Sequence, residues 1–285
     1  ALGFHRIMAS ADVDLTDNVT LLNSVAWEWD HNENARTAEG EQAILADIAV
    51  FVLSLKTGVR WTPMDALTIS AGFDSLSLFA DTNLKVPSFP PLGDPRPPVF
   101  DPTIIAASLG DNTFSNAPYL TVDWEFAPGF RIIPQFRLPI DTYAGKTHVG
   151  YDPRLAIRMK AHEDWTITAM GAVAHQPPAG FQTAEPFGDP NIPPTRGTQV
   201  SMGLEWAPGD GWEIKVEGFY NHLHNMAQPN NDLVVDEDSG DISQPLWRAD
   251  MQGRGYGMEL MVRKRFGGRV YGWLSYTLMQ TERLR

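Results

Sequence analysis

The sequence predicts an all-β protein, an antiparallel β-barrel that spans a membrane, and two observations predict this fold class. Stretches of roughly ten residues alternate apolar and polar side chains along most of the chain. The connectors between these stretches are by turns very short and long. Because successive side chains of a strand point to opposite faces, each stretch would present one face to lipid and the other to water.

The segment 119–126 illustrates the alternation. Its apolar residues would share one face, and these are Leu120, Val122, Trp124 and Phe126. Its polar residues would share the other face, and these are Thr121, Asp123 and Glu125. Similar segments begin near residues 67, 155, 200, 212 and 256, whereas both faces are apolar from Ile48 to Leu53. The repetition predicts about twelve strands, since one such segment alone could be an edge strand of a soluble sandwich.

The connectors favour a membrane barrel over a two-sheet sandwich. Short polar turns rich in turn-forming residues lie at 16–18, 62–65, 127–129, 162–164, 207–211 and 266–269. Long connectors lie between them, at about residues 31–47, 81–116, 143–150, 177–196 and 226–252. Short turns on one rim and long loops on the other are typical of outer-membrane barrels.

The composition agrees with this interpretation. The 285 residues include no Cys, have a mean hydropathy of -0.24 and contain no apolar run near the ~20 residues that a membrane-spanning helix needs. Six Trp residues lie beside the predicted turns and are expected to form one aromatic girdle: Trp61, Trp124, Trp165, Trp206, Trp212 and Trp273. The alternative is a soluble sandwich in which these rings cap a core.

The sequence predicts neither enzymatic activity nor a cofactor. A net charge of -13 argues against nucleic acid as a partner, and no serine elbow or phosphate-binding glycine loop occurs. His222 and His224 would share a strand face, but no third ligand accompanies them, so no metal site is predicted there. Asp236, Asp238 and Asp241 could bind calcium, although a solvated acidic loop is the favoured interpretation.

Polar residues at alternate strand positions are predicted to line a barrel interior. They are Asp74, Asp123, Glu125, Arg131, Gln135, Arg137, Arg158, Glu205, Glu217, Glu259 and Arg263. Aromatic residues in the long connectors are the candidates for first contact with a ligand, and these are Phe89, Phe100, Phe114, Phe181, Phe187 and Trp247. Nothing in the sequence ranks these aromatic residues.

Several motifs resemble those of TonB-dependent outer-membrane receptors. The segment 151–158, followed by a short turn and 165–169, resembles the mid-barrel strand pair of that family, which carries a Pro-Arg motif. The segments 175–178, 188–194 and 200–206 are similar to the next three motifs of the family. Those motifs are a proline-containing strand exit, a G-N-P-x-L-x-P-E loop and a G-x-E-aromatic strand.

Two later strands extend the resemblance, and the matches keep the order of the family. The segment 216–221 resembles a strand with a Phe-Tyr-Asn triplet, and 254–260 resembles the G-x-G-x-E strand. Asp189 stands where Asn is usual in the loop motif, and Thr195 replaces the acidic residue that closes it.

The resemblance implies energised uptake of a scarce, large nutrient, such as an iron–siderophore complex or cobalamin, through a barrel of about 22 strands around a plug. Residues 1–285 would then be part of one barrel domain, with the plug domain and the carboxy-terminal strands outside the chain. The implied location is the outer membrane of a Gram-negative bacterium. The implied partners are outer-membrane lipid and lipopolysaccharide, the receptor's own plug, the TonB complex and a small-molecule or metal-chelate cargo.

Three alternatives remain open at this point. A passive outer-membrane pore or adhesin-like barrel would share the alternation but lack a plug and a TonB-contacting segment. A soluble β-sandwich binding module would show the same alternation with its apolar face buried between two sheets. An outer-membrane hydrolase of about twelve strands would use a Ser-His pair, which a single sequence does not reveal.

Overall fold

The structure, a computed structural model, describes residues 2–38, 41–87, 104–183, 188–229, 234–235, 242–243, 247–265 and 270–284. Strands occupy nearly all of these ranges, and the one helix described in them, α1, spans Gly180–Thr183. Within this part of the chain, no helix has the length and hydropathy required to span a membrane.

The strands are numbered here in chain order. The first eight are β1 (Leu2–Thr16), β2 (Val19–Ala38), β3 (Glu41–Met64), β4 (Leu67–Pro87), β5 (Ile104–Ala127), β6 (Phe130–Arg137), β7 (Ile140–Tyr143) and β8 (Lys146–Val149). The others are β9 (Asp152–Lys160), β10 (Trp165–Gln176), β11 (Thr195–Gly209), β12 (Trp212–Pro229), β13 (Val234–Val235), β14 (Ile242–Ser243), β15 (Trp247–Lys264) and β16 (Gly272–Leu284).

One antiparallel sheet contains 14 of these strands, and its main path runs β1-β2-β3-β4-β5-β6-β9-β10-β11-β12-β15-β16. The β7–β8 hairpin continues the line of β6 and pairs with β5, while β13 and β14 form a separate two-stranded ladder. Among the described residues β1 pairs only with β2 and β16 only with β15, so the sheet is open. The predicted all-β antiparallel architecture is confirmed.

Short turns join neighbouring strands along one edge of the sheet. The predicted turns at 16–18, 62–65, 127–129, 162–164 and 207–211 each connect two paired strands, and 266–269 lies outside the described residues. Gly129, Asp210 and Gly211 adopt φ values of 74°, 50° and 77°. Positive φ values at these positions explain why Gly and Asp mark these turns, since both residue types tolerate the left-handed region.

The strands on the opposite edge run further than the sequence predicts. β2 and β3 remain paired up to Ala38 and Glu41, so the predicted long connector at 31–47 is wrong. About ten tilted strand residues cross a hydrocarbon core, whereas β2 and β3 contain 20 and 24 residues. Beyond the lipid both faces of a strand contact water, so alternation fades and the pattern no longer reveals the strand.

The pairing register gives the sheet one apolar face and one polar face, because residues directly opposite each other in neighbouring strands share a face. One register row on the apolar face reads Leu67, Trp124, Ile132, Ile157, Ala169, Met202, Gly218, Met258 and Leu278. One row on the polar face reads Arg60, Ser70, Thr121, Gln135, Arg154, Ala172, Gln199, Asn221, Gly255 and Thr281. The alternation read from the sequence is therefore confirmed strand by strand.

Aromatic side chains mark two levels of the apolar face. Near the short turns Trp165 stacks on Trp206 with ring centroids 5.4 Å apart, and Trp61, Trp124 and Trp212 lie on the same face. Trp273 pairs with Arg263 on the polar face, so its predicted place in the girdle is wrong. The adjacent residues Trp273 and Leu274 at the start of β16 are both apolar, although they lie on opposite faces. The alternation is therefore ambiguous at this point of the sequence.

A second aromatic level lies about ten strand residues from the first, which matches the height of an apolar band of ~25 Å. Its rings form a chain with centroid separations of 6.0, 5.9 and 5.7 Å, in the order Trp27, Phe51, Phe79 and Phe114. Phe114 therefore lies within β5, and the prediction that it belongs to a loop was wrong.

Candidate functional site

All of the predicted lumenal residues share the polar face of the sheet. The register aligns Asp123 with Thr68, Arg131 with Glu125 and Arg158, and Glu217 with Glu259. The same parity holds for Asp74, Arg137, Glu205 and Arg263. Their common face follows from the pairing, and their place inside a closed barrel stays a prediction.

Ion pairs join side chains across this face, some between neighbouring strands, some between strands separated by one other strand, and one within a single strand. Arg137 bonds Asp74 at 2.5 Å, and the Arg131 Nε donates to Asp123 at 2.5 Å. Further along, Arg158 donates to Glu205 at 2.6 Å. Arg263 also pairs with Glu213, and Lys215 pairs with Glu217 of its own strand at 2.7 Å. Because each of these cations is paired with a carboxylate, their charges compensate one another.

Close packing fixes part of the polar face between β3, β4 and β5. The Tyr119 ring lies across Gly58 and Gly72, and a Cβ at Gly72 would come within 2.5 Å of the Tyr119 hydroxyl. Glycine at these positions lets an aromatic ring lie flat on the sheet, as is common where a barrel wall curves.

A groove of about 370 Å³ opens on the polar face between β1 and β6. Charged and hydroxyl side chains line it, namely Arg6, Glu28, Lys56, Asp74, Ser115 and Arg137. Val52 and Leu76 add an apolar patch to its wall. Val52 pairs with Glu28 on the polar face, which explains why alternation fails between Ile48 and Leu53. The groove can contact both a charged and an apolar part of one ligand.

At the edge with long connectors, a small core covers the inner side of the β7–β8 hairpin. We call Asp141, Tyr143, Thr183 and Ile192 the mouth cluster, and each is at most 2% exposed. The Tyr143 hydroxyl donates to the carbonyl of Ile192 at 2.8 Å, and its ring stacks on His148 at 4.8 Å. The β10–β11 connector is thus held against the hairpin by burial and by a buried hydrogen bond.

The turn of the hairpin and the folded connector have local causes. Ala144 and Gly145 have φ values of 47° and 72°, the pattern of a two-residue turn with left-handed residues. In the connector, Asp189 accepts from the backbone N–H of Asn191 at 2.8 Å. Aspartate supports this turn as well as the usual asparagine would, because only the side-chain oxygen is used.

The electrostatics of the mouth cluster centre on Asp141. Burial raises the pKa of its carboxyl above the ordinary value, although the Ser115 hydroxyl donates to it and opposes the shift. Burial also raises the pKa of Tyr143, and the neighbouring Asp141 adds to the increase. Near it, Asp152 bonds the His175 ring at 2.6 Å, so that His175 has an anionic partner.

Two of the aromatic candidates for ligand contact meet in space. Phe181 in α1 and Trp247 at the start of β15 form an edge-on pair with ring centroids 5.5 Å apart. Phe181 remains 52% exposed. Phe114 packs against Phe79 on the apolar face instead. Phe89, Phe100 and Phe187 lie outside the described residues.

The described residues contain no cluster of three or more metal-binding side chains. His222 and His224 stack with centroids 4.1 Å apart and an interplanar angle of 10°. The possible calcium ligands Asp236, Asp238 and Asp241 lie outside the described residues.

The sequence did not single out the mouth cluster. Asp141 and Tyr143 share one short strand, but Tyr143 and Ile192 are 49 residues apart in the chain. The sequence predicts only a long connector at 143–150, where the structure has most of the β7–β8 hairpin. The available signal was the Ala-Gly turn, which is a weaker indicator of a hairpin than Asn-Gly.

The fold is similar to solved outer-membrane transporters. The siderophore receptor PiuA from Acinetobacter baumannii matches with a TM-score of 0.70 and 14% identity over 99% of this chain and 47% of that chain. The ferric-catecholate import receptor Fiu from E. coli K12 matches with a TM-score of 0.64 and 14% identity, over 100% of this chain and 47% of that chain. The copper transporter OprC matches with a TM-score of 0.66 and 13% identity, over 97% of this chain and 47% of that chain. At these identities the likeness shows the fold alone.

The chain spans about half the length of these solved structures, since it covers 47% of each. No curated protein sequence matches it. The family described as "TonB dependent receptor-like, beta-barrel" matches residues 80–284, which is most of the chain. The motifs of the middle strands that resemble the family all lie within that match. The strands before residue 80 continue the same antiparallel sheet with the same short turns. The chain belongs to the TonB-dependent receptor family of Gram-negative outer-membrane proteins.

Proposed function

We propose that the protein containing this chain takes up a large, scarce nutrient of the iron–siderophore or cobalamin class in a TonB-dependent manner. In this proposal residues 1–285 are part of one barrel of about 22 strands. A plug domain fills the barrel, the TonB complex drives its rearrangement, and the apolar face contacts outer-membrane lipid and lipopolysaccharide. The chain binds and releases its cargo without covalent chemistry.

The observation that carries the proposal is the combination of an ion-paired polar face with a groove lined by charged and apolar side chains. The groove joins cationic, anionic and apolar side chains, including Lys56, Glu28 and Val52. A metal chelate presents both charged and apolar surface, so such a wall fits it better than a purely ionic nutrient. Proteins similar in fold agree with this ligand class, since PiuA is a siderophore receptor and Fiu a ferric-catecholate import receptor.

The exposed aromatic pair at the mouth supplies the first contact in this proposal. Phe181 comes from α1 in the β10–β11 connector and Trp247 from the start of β15, and together they present flat apolar area to an arriving ligand. Aromatic rings bury much area with little loss of side-chain entropy, which suits capture of a dilute ligand.

The full-length gene should be expressed in a strain that lacks other receptors, and uptake of radiolabelled ferric siderophores and of cobalamin should be measured with and without TonB. We expect uptake of at least one ligand that disappears when TonB is deleted. Uptake unchanged by the deletion would overturn the proposal in favour of a passive pore. The double variant Phe181→Ala/Trp247→Ala should lower uptake at limiting ligand, whereas the matched control Phe126→Ala, on the apolar face near a short turn, should not.

A further inference from the structure

The apolar face of β10 to β16 changes its chemistry in an ordered way along the strands. A register row near mid-height contains Met202, Gly218, Met258 and Leu278. The next row toward the long connectors contains Val200, Tyr220, Tyr256 and Gln280. The following two rows contain His222, Arg254 and Glu282, and then Arg196 and His224. Hydrocarbon-like side chains thus give way to tyrosines and then to cationic side chains.

The position of these rows places the cations at the level of lipid head groups. Tyr220 lies about eight residues and His222 about ten residues from the short-turn end of β12, and about ten tilted strand residues cross a hydrocarbon core. Aromatic rings mark the interface, and Lys or Arg beside them extend toward lipid phosphates. Because long connectors of such barrels are extracellular, these rows face the outer leaflet.

The cations of these rows differ in how far they are already paired. Arg254 bonds Glu282 at 2.7 Å, and Tyr256 and Gln280 donate to the same carboxylate at 3.3 and 2.9 Å. Within the described part of the chain, the side chain of Arg196 forms no hydrogen bond or ion pair, and the residue is exposed and lies opposite His224. The Arg196 guanidinium is therefore free to bind an external anion, whereas the Arg254 guanidinium is already paired with the Glu282 carboxylate.

The corresponding level on β2 to β4 has the opposite character. Trp29 stacks on His5 and His31 with centroids 5.6 and 5.8 Å apart, and His31 bonds Asp47 at 2.7 Å. Asp81 follows on the same face, opposite Ala49. The two regions of the outer rim therefore differ in charge, with Asp47 and Asp81 on β3 and β4, and Arg196, Arg254 and Glu282 on β11, β15 and β16.

We propose that Arg196 and Arg254, with the stacked His222 and His224 beside them, form a docking site for a phosphate of lipid A in the outer leaflet. A guanidinium offers paired donors that match phosphate oxygens, and the methionines and tyrosines below the site contact the acyl chains of the same lipid. This inference rests on the proposed contact of the apolar face with outer-membrane lipid and lipopolysaccharide. The site is separate from the transport path, so its failure and a failure of the uptake proposal are distinguishable.

Lipid binding should be measured by native mass spectrometry of the full-length receptor released from detergent, with added lipopolysaccharide. The double variant Arg196→Gln/Arg254→Gln should weaken binding by about tenfold or more, because two charge-assisted contacts are lost. Lys264→Gln is the matched control, since Lys264 lies on the same face and strand but at the short-turn rim, over Trp212. Heat-modifiable migration on gels verifies that each variant is a folded barrel.

A second variant reverses the expected sign. Glu282→Gln removes the carboxylate that competes for Arg254, and it should strengthen binding of lipopolysaccharide severalfold. Lipid A without phosphate should bind weakly, and inorganic phosphate alone should not displace the lipid. Equal binding by the double arginine variant, an equal loss in Lys264→Gln, or equal binding of phosphate-free lipid A would overturn the proposal.

Discussion

Side chains of similar size have very different exposure in the barrel wall and at the mouth. In the wall, Met202 is 65% exposed on the apolar face, whereas Tyr143 and Ile192 in the mouth cluster are 1% and 2% exposed. Backbone hydrogen bonds between paired strands hold the wall together, and its exposed apolar side chains are the ones that lipid would cover. The mouth extends into water and therefore needs its own buried core. Sensitivity to mutation should follow the face of the strand in the wall and burial in the mouth.

The largest effect is expected in the mouth. Tyr143→Ala should lower the free energy of opening of the hairpin by about 3–5 kcal/mol, because it removes a fully buried aromatic ring and leaves a cavity. Amide hydrogen exchange of residues 140–149 and 188–192 in the full-length protein measures this opening. Tyr151→Ala is the matched control, since Tyr151 is 64% exposed. Equal protection in Tyr143→Ala and the wild type would contradict the description of the mouth as a packed core.

In the wall, the face should decide the outcome. Met202→Arg should destabilise the folded protein in bilayers by about 2–4 kcal/mol, because it places a guanidinium in hydrocarbon. Gln199→Arg, three positions away on the polar face, should cost much less. Denaturant titration in vesicles, followed by tryptophan fluorescence, compares the two variants. If Gln199→Arg proved the more damaging, the assignment of the faces would be reversed.

A smaller effect tests packing on the polar face of the wall. Gly72→Ala should destabilise the protein by about 1–3 kcal/mol, since overpacking forces shifts of backbone or ring. Its Cβ would lie 2.5 Å from both the Thr57 carbonyl and the Tyr119 hydroxyl, whereas a Cβ at Gly171 meets nothing within 4 Å. Gly171→Ala is thus the control in the same titration, and similar midpoints for the two variants would contradict the close approach of Tyr119.

The smallest effect concerns the pH dependence of the mouth. Because burial raises the pKa of Asp141, the folded state favours its protonated form. That stabilisation is fully present below the unfolded pKa and is lost as the pH rises through the folded pKa. Asp141→Asn keeps an uncharged acceptor for Ser115 and should make hairpin protection less dependent on pH above the ordinary aspartate pKa of about 4. Hydrogen exchange corrected for intrinsic rates measures this slope, and an unchanged slope in the variant would exclude Asp141 as its source.

The wall was largely predictable from the sequence, and particular residues show why. Asp123 and Arg131 were assigned to one face from parity alone, and the register pairs their strands accordingly. In a strand between lipid and a polar surface, one face requires apolar side chains and the other requires polar ones. Adjacent residues point to opposite faces, so the sequence shows both requirements directly. Trp273 was misassigned because its strand begins with apolar residues on both faces.

The mouth was not predictable in the same way. Its buried hydrogen bond joins Tyr143 to Ile192, and its second aromatic contact joins Phe181 to Trp247. The segments that contain these residues show no periodic pattern of apolar and polar side chains. Connectors are surrounded by water on several sides, so no face of them is apolar at regular intervals. The ends of β2 and β3 were missed for the same reason.

The amino-acid sequence by itself determined the strand alternation, the edge with short turns and the motifs that resemble TonB-dependent receptors. Each of these is local, since it depends on which side of a strand a residue points to or on the φ values that a turn requires. The tertiary structure alone decided which connectors pack together, where the groove opens and how charge is distributed around the outer rim. These depend on contacts between residues distant in the chain, and such contacts form only once the strands have paired.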